Sequence, residues 1–348
     1  MDNIGPLLAG FAALKAVMGG MSIIEGIMGI SSLLAGGGAA GAAAAMGEMA
    51  TLAAISSWAA LPPGTGRARI DLGFEADTLA LSPDGYLVAA YRAETGILAV
   101  ASLQAKRLLF RLDGFRGEHH FTFSHDGSQL YDVNAATAEL AVIDLVQQRA
   151  VESMKLFAAA AGPLDASALT RTPDGRYGFV AMKAKNRIVA VDLTSMKRLK
   201  EIPVGGRPLR PYATADGRVV LVPNDGDRSV SIIDSTTLQV VATLPGAADV
   251  TAINTGWFES FAFVMSGSEK RIVVLDLEKF VKAGEIELPS PARPGIVNGA
   301  GDRLFAPLAG SGSVAVIETR SHTVRALIDG AGSEPWAVAM AHSNNYCH

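Results

Sequence analysis

Downstream of residue 67 the hydrophobic positions fall in short runs, four to a unit, and polar turns recur about every 42–48 residues. The strongest turns are Ser82-Pro83-Asp84-Gly85, Ser124-His125-Asp126-Gly127, Thr172-Pro173-Asp174-Gly175 and Thr214-Ala215-Asp216-Gly217. Weaker ones follow at Thr255-Gly256-Trp257-Phe258 and Gly299-Ala300-Gly301-Asp302, so the period continues. Within each unit a second apolar run closes on an acid: Asp144, Asp192, Asp234, Asp276 and Glu318, with Ser102 in the first unit. These acids are predicted to bond backbone amides where a strand turns, and the aspartates of the Asp-Gly pairs to form turns. Each unit ends in an alternating strand and a Pro or Gly turn, as in Lys200-Glu201-Ile202-Pro203-Val204-Gly205.

Four short strands per unit predict the blades of a β-propeller. Innermost strands are expected from about Thr78, Phe121, Ala168, Tyr212, Val250, Gly295 and Trp336. Outermost strands are expected to end near Leu72, Leu112, Leu156, Val204, Pro245, Leu288 and Ile328. The expectation is therefore an all-β, seven-bladed β-propeller closed by N- and C-terminal strands. Arg67–Leu72 would complete the blade begun by Trp336–Met340, because a closed ring leaves no exposed sheet edge. Residues 53–59 and Asn345–His348 would supply that blade's remaining strands.

The repeat resembles the YVTN-type β-propeller unit, with its Pro-Asp-Gly turn, a strand, an apolar strand ending in Asp, and a strand ending Ile-Pro-Val-Gly. The fourth unit (Leu221-Val222-Pro223-Asn224, then Ile232-Ile233-Asp234) is closest to that pattern, followed by the third (Phe179-Val180-Ala181-Met182, then Val191-Asp192). The resemblance covers roughly residues 67–340 and departs from the pattern in the fifth and sixth units, which lack the Pro-Asp-Gly turn. It implies the fold and an extracytoplasmic setting. Such propellers serve as binding scaffolds, as heavy chains of amine-dehydrogenase-type complexes, or as lactonase-like hydrolases, so activity has to be argued from a site.

Composition changes the picture at the N-terminus. The chain of 348 residues is 49% hydrophobic and only 18% charged, and residues 1–61 hold just Asp2, Lys15, Glu25 and Glu48 as charges. We expect two regions: an apolar, Ala/Gly-rich α-helical segment over 1–50 and a propeller over 51–348. Lys15, Gly19, Ser22, Gly26, Gly29 and Gly36 fall on one helix stripe, a pattern that permits close helix packing. The segment is open to three readings: a membrane anchor or hairpin, helices that pack on another subunit, or an export signal. Against the last, the chain lacks a basic start. Glu25 and Glu48 weigh against lipid exposure. The expected location is the periplasmic side of a bacterial inner membrane, with an exported soluble periplasmic protein as the alternative. A net charge of −4, with 30 basic and 34 acidic residues, gives no basic face for nucleic acid. One cysteine, Cys347, excludes an intrachain disulfide framework.

Candidate chemistry gathers on the loops leading into the innermost strands. Glu75, Asp77, Glu118, His119, His120, Asp165, Arg207, Arg210, Asp249, Arg293 and Glu334 are expected to rim one mouth of the central channel and to bind a ligand or partner there. His119 and His120 beside Glu118 are possible metal ligands, although neighbouring strand residues face opposite ways. His125 and His342 occupy equivalent turns on the other face. His342, Cys347 and His348 form a second possible metal set. No catalytic residue is assigned, and neither a Gly-x-Ser-x-Gly elbow nor a phosphate loop is present. No cofactor is expected beyond a possible metal ion. These observations favour a non-catalytic binding or scaffold subunit, with protein partners engaged through residues 1–50. An enzyme or redox subunit and a metal-handling protein are the alternatives.

Overall fold

In the computed structural model, residues 70–157 and 164–329 are described throughout, together with Ala331, Pro335 and the backbone of residues 11–15, 23–28 and 66–68. Three short strands come first: β1 (Phe11–Lys15), β2 (Ile23–Met28) and β3 (Gly66–Ala68), paired antiparallel in that order. Over residues 11–15 and 23–28 the helix expected for the N-terminal segment is thus replaced by strand. Ile23, Ile24 and Ile27 have β-branched side chains that favour a strand, while Gly26 weakens a helix. The remainder of residues 1–50, residues 53–59 and residues 336–348 lie outside the described residues. Gly66–Ala68 pairs with β2, through Gly26↔Ala68, Ile27↔Arg67 and Met28↔Gly66. Whether Arg67–Leu72 meets Trp336–Met340 also falls outside them. Among the described residues, no helix is long and apolar enough to cross a membrane.

Six four-stranded antiparallel sheets follow, each running in sequence order from its innermost to its outermost strand. They are β4–β7 (Thr78–Leu112), β8–β11 (His119–Lys155), β12–β15 (Thr170–Pro203), β16–β19 (Tyr212–Pro245), β20–β23 (Val250–Glu287) and β24–β27 (Ile296–Asp329). Both expected strand lists are met to within about two residues over this span. The two middle strands of a sheet are covered on both faces. In Leu87–Arg92, for example, Val88, Ala89, Ala90 and Tyr91 are buried in succession. Outermost strands instead alternate, and Arg107–Leu112 reads exposed then half-buried along its length. Burial on two faces produces a continuous apolar run and burial on one face an alternation, which is why the sequence shows both.

The core lies between sheets. One cluster joins Val133 and Leu140 of the second sheet to Leu169, Val180 and Val191 of the third. Comparable clusters join the third sheet to the fourth, the fourth to the fifth, and the fifth to the sixth. Inner-strand side chains tie neighbouring sheets by hydrogen bonds to backbone carbonyls. Thr122 Oγ1 donates to Leu169 O (3.0 Å), Thr170 Oγ1 to Pro211 O (2.6 Å) and Thr251 Oγ1 to Ala292 O (3.1 Å).

The repeated polar residues are spent on these turns. Asp126 Oδ1 accepts from Ser124 Oγ and the Ser128 amide, while Ser124 Oγ accepts from the Gln129 amide. Asp174 and Asp216 repeat the arrangement with Thr172 and Thr214. Asp144, Asp192 and Asp234 each accept two amides from the next turn, and these bonds hold their carboxyls below the ordinary range. The fifth unit closes differently. Trp257, Phe258 and Glu259 all take left-handed backbone (φ 51°, 56° and 61°). Glu259 is buried, accepting from Thr255 Oγ1 and from the Ala215 amide of the fourth sheet, and the Trp257 amide donates to Gly301 O of the sixth. Side-chain and cross-sheet bonds thus hold a turn that elsewhere relies on glycine.

Candidate functional site: the inner-strand mouth

The loops that lead into β4, β8, β12, β16, β20 and β24 meet the turns between second and third strands at one end of the molecule. Several leading-loop charges find a partner on or beside one of those turns. Glu75 lies 3.5 Å from Arg92, Asp165 3.1 Å from Lys183, and Arg207 3.3 Å from Asp225. Asp77 accepts the Ala93 amide (2.7 Å), and the Asp249 amide donates to Asp225 (2.9 Å). The Arg293 amide donates to Pro307 O (2.8 Å). Both signs are present at the mouth, and the partners Arg92, Lys183 and Asp225 were absent from the sequence-based set. They sit one turn away in space but about 15–20 residues away in sequence, a spacing the repeat itself would have supplied. Glu334, His342, Cys347 and His348 lie outside the described residues.

His119 and His120, adjacent on β8, go to opposite places. His119 is buried in an aromatic cage, with the rings of Tyr91, Phe115 and Phe121 centred 5.8, 5.5 and 6.2 Å away. Its Nδ1 lies 2.8 and 3.0 Å from the two oxygens of buried Asp132. Its Nε2 is 3.1 Å from Asn134 Nδ2 and 3.2 Å from Arg116 O. Asn134 Oδ1 accepts the Ala136 and Thr137 amides, so its NH2 group must face the ring. Nδ1 thus meets the Asp132 carboxylate, while Nε2 lies between the Asn134 amide group and the Arg116 carbonyl. Burial pushes the Asp132 carboxyl up, and the bond from His119 opposes it. Both nitrogens are therefore engaged inside the sheet.

His120 faces the mouth. Its Nε2 lies 3.4 Å from Glu118, and Lys183, Arg210 and Asp165 also act on it. Burial lowers its pKa, Glu118 and Asp165 pull it up, and the two cations reinforce the lowering. Four of the expected rim residues (Glu118, His120, Asp165 and Arg210) are thus brought into one electrostatic neighbourhood. The two histidines do not share a ligand position, and the described residues contain no group of three or more His, Cys, Asp or Glu arranged to hold a metal ion. His125 stands at the other end of β8, in a groove of about 420 Å³ between the second and third sheets that is also lined by Asp126, Glu152 and Asp174. His322, not singled out in the sequence, packs edge-on against Phe261 (4.4 Å between ring centres), and burial lowers its pKa.

No family model matches the chain, and no curated protein matches it in sequence. Solved structures are similar in fold. Hydrazine synthase of Kuenenia stuttgartiensis aligns with a TM-score of 0.60 at 15% identity over 77% of this chain and 92% of that one. A functionally unknown protein from Desulfotomaculum acetoxidans aligns with a TM-score of 0.63 at 15% identity, over 79% and 92% respectively. At such identity the likeness speaks to architecture alone. With six successive four-stranded sheets, it makes the chain a β-propeller-like, all-β protein.

Proposed function

We propose that this chain is a seven-bladed propeller of the YVTN type that acts as a non-catalytic binding or scaffold subunit, with the charged mouth as its docking surface. The seventh blade would draw on residues 331–348 and on the chain before residue 78. Trp336–Met340 matches the innermost-strand pattern, and His342 falls where His125 falls in the second unit. The observation that carries the binding reading is the mouth itself. Its charges are fixed by neighbouring turns into a mixed-sign surface, while the acid–base pair His119–Asp132 is turned inward and engaged at both ring nitrogens. A surface of this kind selects a partner by complementary charge more than by buried apolar area. The apolar segment over residues 1–50 would hold the propeller to a membrane or to another subunit of a periplasmic complex.

The test is isolation of the untagged chain from its native membranes, with mass analysis of co-purifying chains, metal analysis and N-terminal sequencing. The proposal expects a stoichiometric partner chain, no stoichiometric metal, and Met1 or Asp2 at the N-terminus of detergent-extracted material. An N-terminus near residue 50 would remove the anchor. A stoichiometric metal lost on truncation after Asn345 would favour metal handling instead.

A further inference from the structure

The groove of about 420 Å³ between the second and third sheets lies at the other end of the strands from the mouth, and none of the mouth's charged residues lines it. Three acids do: Asp126 and Asp174, on the turns after β8 and β12, and Glu152 on β11 (Arg149–Lys155). No lysine or arginine is among its lining residues, and Val142, Leu193 and Met196 supply its apolar part. Glu152 is exposed and makes no hydrogen bond or ion pair among the described residues. Asp174 spends only Oδ1 on its turn, which leaves Oδ2 without a bond among the described residues. Tyr131, from β9 (Gln129–Asn134), also lines the groove and is only 6% exposed. Its hydroxyl makes no hydrogen bond among the described residues, and the charge of Asp126 acts on it, which places it beside that rim. Arg171 acts on it too but is no part of the lining. That side chain is buried beside His125, with Nη1 3.5 Å from His125 Nδ1 and Nε donating to Phe123 O (3.1 Å).

We propose that this groove binds a linear alkylpolyamine, with ammonium groups on Glu152, Asp174 and Asp126, one of them donating to the Tyr131 hydroxyl oxygen. The acids are spread out rather than convergent: no three of the described His, Cys, Asp or Glu residues are arranged to hold a metal ion. Separated carboxylates beside apolar side chains suit a cation whose charges are themselves separated by CH2 groups, because the stem can lie on Leu193 and Met196 while each head meets an acid. A nearly buried hydroxyl without a partner is a loss that a ligand N–H makes good. Both turn acids are anions at neutral pH. Bonds from Ser124 and Ser128 lower the Asp126 carboxyl; at Asp174 burial is outweighed by bonds from Thr172 and the Arg176 amide. The volume falls within the range of roughly 300–1,000 Å³ usual for small-molecule sites. The inference is independent of the scaffold proposal, which concerns the opposite end of the strands.

The test uses the full chain and spermidine as the probe, titrated by calorimetry at constant ionic strength set with sodium chloride. The melting temperature of each variant checks its folding. Wild type is expected to give a saturable isotherm with one spermidine per chain. Tyr131→Phe, which removes only an oxygen that bonds nothing among the described residues, is expected to melt no lower than wild type and to bind at least about threefold more weakly. Glu152→Gln is expected to lose at least about threefold as well, and the double variant at least about tenfold. Glu287→Gln, at an exposed acid of the fifth sheet, is expected to bind as wild type does. A non-saturating response in wild type, or full affinity in either Tyr131→Phe or Glu152→Gln, would overturn the site. So would an equal loss in Glu287→Gln, which would mean general attraction to an acidic surface. A saturable 1:1 response to magnesium that depends on Glu152 would overturn the ligand class in favour of a metal. Tighter binding of trilysine than of spermidine would overturn it in favour of a basic peptide.

Discussion

His119 and His120 are neighbours on one strand, yet they occupy opposite physical regimes. His119 sits among three aromatic rings with both nitrogens bonded inside the sheet; His120 faces the mouth, amid two acids and two cations. The period of two along a strand separates them, and the loop before β8 decides which one is covered. That loop is tied down over the ring: the Tyr91 hydroxyl donates to the carbonyls of Phe115 and Gly117, and the Phe115 amide donates to Gly96 O. Chemical type alone is thus a poor guide to function here. A histidine bonded to a buried carboxylate has the parts of an acid–base dyad but no face left for a substrate, whereas its plainer neighbour is half-buried in the mixed field, with an Nε2 that no hydrogen bond engages.

The contrast can be broken most forcefully at His119. Replacing it with Ala empties the cage and leaves Asp132 buried without its donor, a combination expected to cost about 3–5 kcal/mol in urea unfolding. His120→Ala should cost less than about 1 kcal/mol. Equal losses would show that the two positions are not distinct. Asn134→Ala comes next, because it removes the donor to Nε2 and the acceptor of two turn amides, with an expected loss of about 1–2 kcal/mol.

A pH series sharpens the other side of the comparison. Burial lowers His120 and His322 in the folded state, so their protons are bound more readily by the unfolded chain. The sign follows from linkage: stability from these groups is complete above the unfolded value of about 6.5 and falls away as pH drops below it. His120→Gln should flatten part of that slope, and His120→Gln with His322→Gln more of it. A slope unchanged in the double variant would remove both histidines as its source. The smallest effect expected is that of Glu118→Gln. It should shift the NMR titration of His120 to lower pH, because a carboxylate 3.4 Å away is lost, while stability changes by less than about 0.5 kcal/mol. An upward shift would mean that Glu118 does not act on that ring.

Much of this fold is written locally. Ser124-His125-Asp126-Gly127 predicts its turn because the side chains that bond the backbone and the residue that takes φ 71° lie within four positions. The acids closing the third strands are legible for the same reason. Other features are set across space and leave no local trace. A bulge recurs at the same place in the pairing of third and fourth strands, at Val100/Ala101, Val142/Ile143 and Ala190/Val191 in the first three sheets and again in the next three. It adds twist to each sheet, yet no glycine or proline recurs at it, Gly284 in the fifth sheet standing there alone. The fifth turn is opaque too. Trp257-Phe258-Glu259 resembles a failed repeat until Ala215 and Gly301, in neighbouring sheets, are seen to hold it. At the site, the leading-loop charges were legible from the repeat register. Their turn partners Arg92, Lys183 and Asp225, the cage around His119 and the inward-facing Arg171 were not, because each depends on how one sheet lies against the next.

The central claim, that the mouth on the His120 side is the binding surface, is tested most directly by charge reversal there against a control at the other end of the same strand. Wild type, Asp165→Lys and His125→Ala would be isolated from native membranes and the amount of any stoichiometric co-purifying chain measured per propeller. The account predicts that the partner stays with wild type and His125→Ala and falls at least about tenfold in Asp165→Lys, with its melting temperature essentially unchanged. Equal retention in Asp165→Lys, or loss in His125→Ala alone, would contradict it and move the binding surface to the opposite face.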